Sequence, residues 1–215
     1  MSRRVVAIDG PAGSGKSTVS RAVAGRLGLD YLDTGAMYRS VAYAVLRDGV
    51  AAGDAERVAA LARGLTIVVA DRVLVDSHDA TTAIRGADVT AIVSAVSAYP
   101  AVRAEMVRRQ REWVDVRGGG VVEGRDIGTV VFPDAPVKIF LTADSSERAR
   151  RRALEVGVTA PDHVAADLVR RDHIDSTRAA SPLSQAEDAL VVDTTDRTVD
   201  EVVDAVLAHA QGRLS

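Results

Sequence analysis

The sequence predicts an α/β fold, a parallel sheet covered by helices on both faces. Three observations carry that expectation. Short apolar runs at 4–8, 121–123, 137–141 and 189–192 alternate with helix-length amphipathic stretches. The first run passes through a glycine-rich turn directly into a helical pattern, the opening of a βα unit. Only 65–75 breaks this rhythm, with two alternating runs that read as a small sheet of its own.

Taken in order, the run at 4–8 is the first strand, and Val19, Val23 and Leu27, spaced by four, give the core stripe of a helix over 16–27. A short strand follows near 30–33, then a helix over 36–48 whose buried stripe is Met37, Val41, Ala44 and Val45. A polar helix covers 54–63. The runs at 65–70 and 73–75, separated by Asp71-Arg72, form a hairpin or small sheet. Helices are expected at 86–98 and 100–116, the second with Pro100 in its first position and Gly118-Gly119-Gly120 to end it. Strands return at 121–123 and 137–141, helices at 145–156 and 161–175, a strand at 189–192 and a closing helix at 199–209.

The glycine-rich turn reads DGPAGSGKST. Gly10, Gly15, Lys16 and Ser17 fit the G-x-x-x-x-G-K-[ST] pattern, and the segment Gly10, Pro11, Ala12, Gly13, Ser14, Gly15, Lys16, Ser17, Thr18 is the candidate phosphate cradle. Glycines let backbone N–H groups close around phosphate oxygens, and the following helix offers its positive N-terminus. Lys16 reaches the β/γ-phosphates of a nucleotide, and the Ser17 hydroxyl belongs to a Mg²⁺ shell. The chain has two lysines, Lys16 and Lys138, so a chance lysine in the required slot is improbable. This pattern leaves kinase, switch GTPase and ATPase open.

Composition narrows the classes. A length of 215 residues fits one domain with an ample apolar fraction. The formal charge of −3 argues against a general nucleic-acid surface. Cysteine is absent, which removes thiol nucleophiles and thiolate metal sites, and His78, His163, His173 and His209 are too scattered for a zinc cluster. Neither a signal-type apolar region nor a run of membrane-spanning length is visible, so a cytoplasmic protein without membrane partners is expected.

Phosphoryl transfer needs alignment and charge neutralisation more than covalent chemistry, so arginines should mark the acceptor site. Arg39 lies off the core stripe in the first turn of its helix, where a cation opposes the helix dipole at a cost of about 0.3–1 kcal/mol unless an anion is near. Arg125-Asp126 follows a strand. Val164, Leu168, Arg171, Asp175 and Arg178 share one helical face, a buried stripe that turns charged. Arg148, Arg150, Arg151 and Arg152 precede a turn near Gly157, with Arg148, Arg151 and Arg152 on one face, and read as a lid helix whose arginines, Arg148 and Arg152 among them, close over the ATP phosphates.

The motifs GPAGSGKST, YLDTGAMYR, YPAVRAEMVRRQR, EGRDIGTVVFPDAPVKIFL and RRDHIDSTRAASPL together resemble the bacterial cytidylate kinase family over nearly the whole chain. The resemblance implies a three-layer P-loop kinase fold with a central parallel sheet, a short lid and an enlarged monophosphate-binding insert containing a small β-sheet. It implies one domain over 1–215, with its core at 1–35, 117–145 and 179–215, the monophosphate-binding region at 36–116 and the lid at 146–178. Carried over by motif, Arg39, Arg125 and Arg178 hold the acceptor phosphate, and Arg171 and Asp175 contact the ribose. Asp33 and Tyr38 line the same mouth, and Ser94, Arg103 and Asp126 read the base. Glu123 stands where the family often has Asp, and from its strand end it would help to order Mg²⁺-bound water.

The implied reaction passes the γ-phosphoryl group of ATP, with Mg²⁺, to CMP or dCMP. Lys16 and the lid arginines spread charge, while Arg39, Arg125 and Arg178 offset repulsion between the two anions. A carboxylate and a hydroxyl suit the exocyclic amino group of cytosine, and a guanidinium suits its N3 and O2 acceptors. Uracil reverses those roles at about 1–3 kcal/mol per buried mispairing. The alternatives are a kinase for UMP or a small alcohol, and a nucleotide switch, for which the N-K-x-D guanine signature is absent. A monomer is expected.

Overall fold

The computed structural model describes residues 4–156, 161–177 and 181–214, with the side chains of 155, 156, 161–164, 167 and 171 outside the description. It separates into two compact units, Met1–Tyr31 with Val114–Ser215, and Leu32–Trp113.

The first unit is built on a central parallel sheet. Its strands are β1 (Arg4–Asp9), β2 (Tyr31–Asp33, which continues into the second unit), β6 (Gly119–Gly124), β7 (Val137–Thr142) and β8 (Leu190–Asp193), in the order β2-β6-β1-β7-β8. β1 pairs in parallel with β6 from Arg4 opposite Gly119 to Asp9 opposite Gly124, and with β7 from Val6 opposite Val137. Val5, Val6, Ala7 and Ile8 are all buried, so β1 is covered on both faces. On one face Val6, Ile8, Ile139 and Leu141 pack with Val19 and Val23 of α1 (Lys16–Leu27) and Val202, Val203 and Val206 of α8 (Val199–Ala210). Each fully buried valine there contributes about 1.5–3 kcal/mol of hydrophobic stabilisation. A capping box between Thr198 and Glu201 starts α8.

Two further helices of this unit, α6 (Ser145–Val156) and α7 (Pro161–Thr177), pack on each other, and a small cluster of Ala149, Leu168 and Ala12 seats them on the glycine-rich turn.

In the second unit α2 (Thr34–Arg47) buries Met37, Val41, Ala44 and Val45, the stripe expected from spacing. It is followed by α3 (Ala55–Gly64), an antiparallel sheet of β3 (Ile67–Val69), β4 (Val73–Val75) and β5 (His78–Asp79), then α4 (Ala87–Ala98) and α5 (Pro100–Arg117), whose last residues belong to the first unit. Arg109 of α5 donates to the carbonyls of Ala62, Arg63 and Leu65, satisfying the open C-terminus of α3.

The elements follow the predicted order, with three additions and one correction. β5 is two exposed residues, too short to show alternation, and it enters through the turn at Asp76 and Ser77, both at positive φ (48° and 69°). A 3₁₀ turn at Ala83–Arg85 and a π-helical turn at Ile127–Val131 are the others. The correction concerns the glycine triplet. Gly118, at φ 71°, ends α5, but Gly119 and Gly120 are the first residues of β6. A Cβ on Gly119 would lie 2.6 Å from the carbonyl oxygen of Arg4, so close strand contact, rather than helix termination, requires glycine there.

Candidate active site

The glycine-rich turn closes on itself. Gly13 and Gly15 take left-handed φ of 78° and 83°. The hydroxyl of Ser14 and the ammonium of Lys16 both donate to the carbonyl of Pro11, at 3.0 and 2.6 Å. Lys16 is the first residue of α1, which opens with no side-chain cap, so the N–H groups of its first turn face the cradle. Burial, and next the neighbouring Arg125, lower the Lys16 ammonium to about 7; Glu123, Asp9 and Asp175 act in the opposite sense.

Around this turn the strand ends supply the charged side chains. Glu123 is the penultimate residue of β6, and its Oε1 accepts from the hydroxyls of Ser17 (2.7 Å) and Tyr31 (2.8 Å). Arg21 of α1 lies over the Tyr31 ring, 4.4 Å from its centroid. Arg125 donates through Nε to Asp175 of α7 at 3.0 Å, with both side chains largely buried. Asp126 is buried, and its carbonyl accepts from Val130 and Val131 in the π-helical turn. Thus Lys16, Ser17, Glu123, Arg125, Asp126 and Asp175 all belong to the first unit, at the ends of β1 and β6 and the buried face of α7.

Arg148 is held against the cradle: it donates to the carbonyls of Ala12 (3.2 Å) and Ala143 (3.2 Å) and pairs with Asp172. The fit is close, since a Cβ on Gly13 would lie 2.7 Å from the Arg148 carbonyl oxygen. Arg150 belongs to an exposed ladder with Glu147, and Arg152 is half-buried. Arg151, which shares a helix face with Arg148 and Arg152, donates to the hydroxyl and carbonyl of Thr194 at 2.8 and 2.7 Å. Thr194 in turn donates to the carbonyl of Ser14. Beside them a cavity of about 480 Å³ adjoins the turn, lined by Ser14, Gly15, Thr18, Arg151, Thr195 and Val199 among others. Nothing local in the sequence marks the loop after β8 as a wall, because its contacts with the turn span about 180 residues.

In the second unit Asp33 caps α2 by accepting from the Ala36 amide at 2.8 Å, and its other oxygen accepts from Arg39 at 2.9 Å and faces Arg85 at 3.6 Å. The anion that relieves Arg39 at this helix start is therefore Asp33 itself. The guanidinium of Arg103 lies over the ring of Tyr38, 5.3 Å from its centroid, and donates to the carbonyl of Ser97 at 3.4 Å. Arg103 is buried among charged residues that are mostly exposed, on the α5 face that also buries Met106 and Val114. Ser94 is half-buried, one turn before Ser97. The structure so joins Asp33 with Arg39, and Tyr38 with Arg103. Arg178 and the side chain of Arg171 lie outside the described residues.

Among the described residues no group of three or more His, Cys, Asp or Glu side chains could hold a metal ion, and no helix is long and apolar enough to cross a membrane. The Ser17 hydroxyl and Glu123 carboxylate are oxygen donors of the kind Mg²⁺ takes when phosphates supply the rest of its shell.

A family model described as cytidylate kinase matches residues 6–212. A cytidylate kinase of Mycolicibacterium paratuberculosis is 55% identical over 210 residues, covering 93% of this chain and 92% of the relative. One from Desulfitobacterium hafniense is 48% identical over 211 residues, covering 94% and 90%. Among solved structures, a gluconokinase from Sinorhizobium meliloti superposes with a TM-score of 0.53 at 16% identity, covering 96% of this chain and 90% of that one, a likeness of fold.

Proposed function

The chain belongs to the cytidylate kinase family, and from that premise we propose that it transfers the γ-phosphoryl group of ATP to CMP or dCMP, giving ADP and CDP or dCDP. The match over residues 6–212 carries the reading, because it takes in the glycine-rich turn, the Arg125-Asp126 loop and the α5 arginines together.

The ATP phosphates occupy Gly10 to Thr18, where Lys16 exchanges the Pro11 carbonyl for a phosphate oxygen, and the cavity beside Thr194 and Thr195 takes the adenine. Arg148 and Arg152 add positive charge from α6. The Ser17 hydroxyl would hold Mg²⁺ alongside the triphosphate and Glu123 would order its water, and the ion would supply charge neutralisation at the transferring group.

On the acceptor side Arg39, Arg125 and Arg178 take the CMP phosphate, Asp175 and Arg171 the ribose, and Ser94, Arg103 and Asp126 the cytosine, with Asp33 and Tyr38 lining the entrance. Support comes from the carboxylate partners of Arg39 and Arg125, which hold each guanidinium fork in a fixed orientation. No general base is required, since the acceptor phosphate is already largely ionised near neutral pH. We place the enzyme in the cytoplasm as a monomer.

A coupled ADP-release assay across CMP, dCMP, UMP, AMP and shikimate tests the reading. CMP and dCMP should exceed UMP by about tenfold to a hundredfold in kcat/KM. Equal use of UMP would remove the base-reading assignment, and turnover of shikimate alone would remove the acceptor class. Arg178→Lys should impair turnover, because a point charge does not reproduce a bidentate fork.

A further inference from the structure

We propose that Asp9 is a positioning residue for the acceptor: its carboxylate, from the end of β1, fixes the loop of β6 that carries Arg125 and Asp126. The word acceptor rests on the CMP kinase reading above; the brace itself rests on geometry.

Asp9 is the last residue of β1 and sits opposite Gly124 in the parallel register, so its side chain meets the β6 chain just where the strand ends. Its Oδ1 accepts from the amide of Ile127 at 2.9 Å and its Oδ2 from the amide of Gly128 at 2.8 Å. One carboxylate thereby holds two consecutive amides at the start of the π-helical turn. Asp9 is 4% exposed, so water does not compete for either bond.

The space around Gly128 is closed as well. A Cβ on Gly128 would lie 3.2 Å from Cδ and 3.3 Å from Cγ of Lys138, whose ammonium is tied to both oxygens of Asp188 at 2.9 Å. Ile127 and Gly128 are thus held by Asp9, and Gly128 is hemmed in by the Lys138 stem. Ahead of the clamp β6 is fixed by its register, which leaves Arg125 and Asp126 as a two-residue span pinned at each end. Burying a carboxylate here, close to the like charge of Asp126, is unfavourable in itself. A site that needed only filling would be better served by an apolar side chain, so the two amide bonds are the gain that offsets this cost.

The test is Asp9→Asn, which keeps the shape but turns one acceptor into an N–H donor facing an N–H. Steady-state kinetics should show the KM for CMP raised about tenfold, with the KM for ATP within about twofold. Gly128→Ala, which crowds the same residue against the Lys138 stem and the Asp9 oxygen while keeping the carboxylate, should move the KM for CMP in the same direction by about threefold, and it carries the test if Asp9→Asn does not fold. Equal rises in both KM values, or a rise in neither, would overturn the proposal. Should the wild-type chain not phosphorylate CMP, the substrate reading fails, and hydrogen exchange decides the brace. The amides of Ile127 and Gly128 should exchange at least about tenfold faster in Asp9→Asn, and unchanged protection would overturn it.

Discussion

Two loops leave the same end of the parallel sheet from neighbouring strands, and they differ in how much of their order is local. The turn after β1 is shaped mainly from within: Ser14 and Lys16 bond back to Pro11, left-handed glycines set its path and α1 begins within it, while Arg148 and Thr194 add bonds to the Ala12 and Ser14 carbonyls from outside. The loop after β6 closes one π-helical turn of its own, in which the Asp126 carbonyl accepts from Val130 and Val131, but its charged start is held from elsewhere. Its Arg125 leans on Asp175, 50 residues away, and its amides on Asp9, 118 and 119 residues away. The path of the phosphate cradle is on this account set mainly by ten adjacent residues, whereas the loop that carries Arg125 and Asp126 depends on carboxylates from distant segments. The two sides should therefore fail differently when perturbed.

The largest effect is expected for Lys16→Ala, which removes the single cation inside the self-organised turn. Turnover should fall about 10²–10³-fold in the ADP-release assay, with the fold retained by circular dichroism. Arg125→Ala comes next. It should lower kcat/KM for CMP about tenfold to a hundredfold while the KM for ATP stays near its wild-type value, separating the two sides kinetically.

A third measurement sharpens the comparison through pH. Burial raises the Asp9 carboxyl from 3.8 to about 6, against the lowering by the Gly128 and Ile127 amides, with Asp126 adding to the rise and Lys16 opposing it. A raised carboxyl means that the folded chain binds the extra proton between those two values. The stability it contributes is complete below the lower value and lost as pH rises through the upper one. Asp9→Asn does not titrate, so the stability difference should shift towards the variant between pH 4 and pH 7, by on the order of 1–3 kcal/mol in urea denaturation. A flat difference would show that Asp9 is not a buried carboxylate of this kind. The smallest expected effect is a control outside both loops. Asp54→Ala removes the cap on Arg57 at the start of α3 and should lower stability by about 1 kcal/mol with both KM values unmoved.

The same contrast explains what the sequence could reveal. The glycine-rich turn and the stripes of α1 and α2 were legible because their geometry is contained in adjacent residues. The π-helical turn was not, since Ile127, Val130 and Val131 carry no helical signature and the turn is held by a carboxylate from another strand. Gly119 and Gly120 look like a helix stop, and it is their pairing with Arg4 and Val5 of β1, with the 2.6 Å approach at Gly119, that identifies them as strand. Among the candidate site residues, spacing alone brought Arg39 to notice and suggested a nearby anion, while Asp33, six residues earlier, supplies it. Spacing sets Arg151 on one face with Arg148 and Arg152 and apart from Arg150, but its partner Thr194, 43 residues on, is not legible in it.

Gly10 marks the limit of tolerance in the self-organised turn. Its φ is 149°, and a Cβ there would lie 2.1 Å from the carbonyl oxygen of Leu141 on β7, an obstacle of rigid main chain. Gly15 has the left-handed φ of 83° but meets only the far end of Arg151 at 3.7 Å. In a library randomised at both codons and selected for growth, position 10 should return one amino acid, while position 15 should also admit asparagine at reduced fitness.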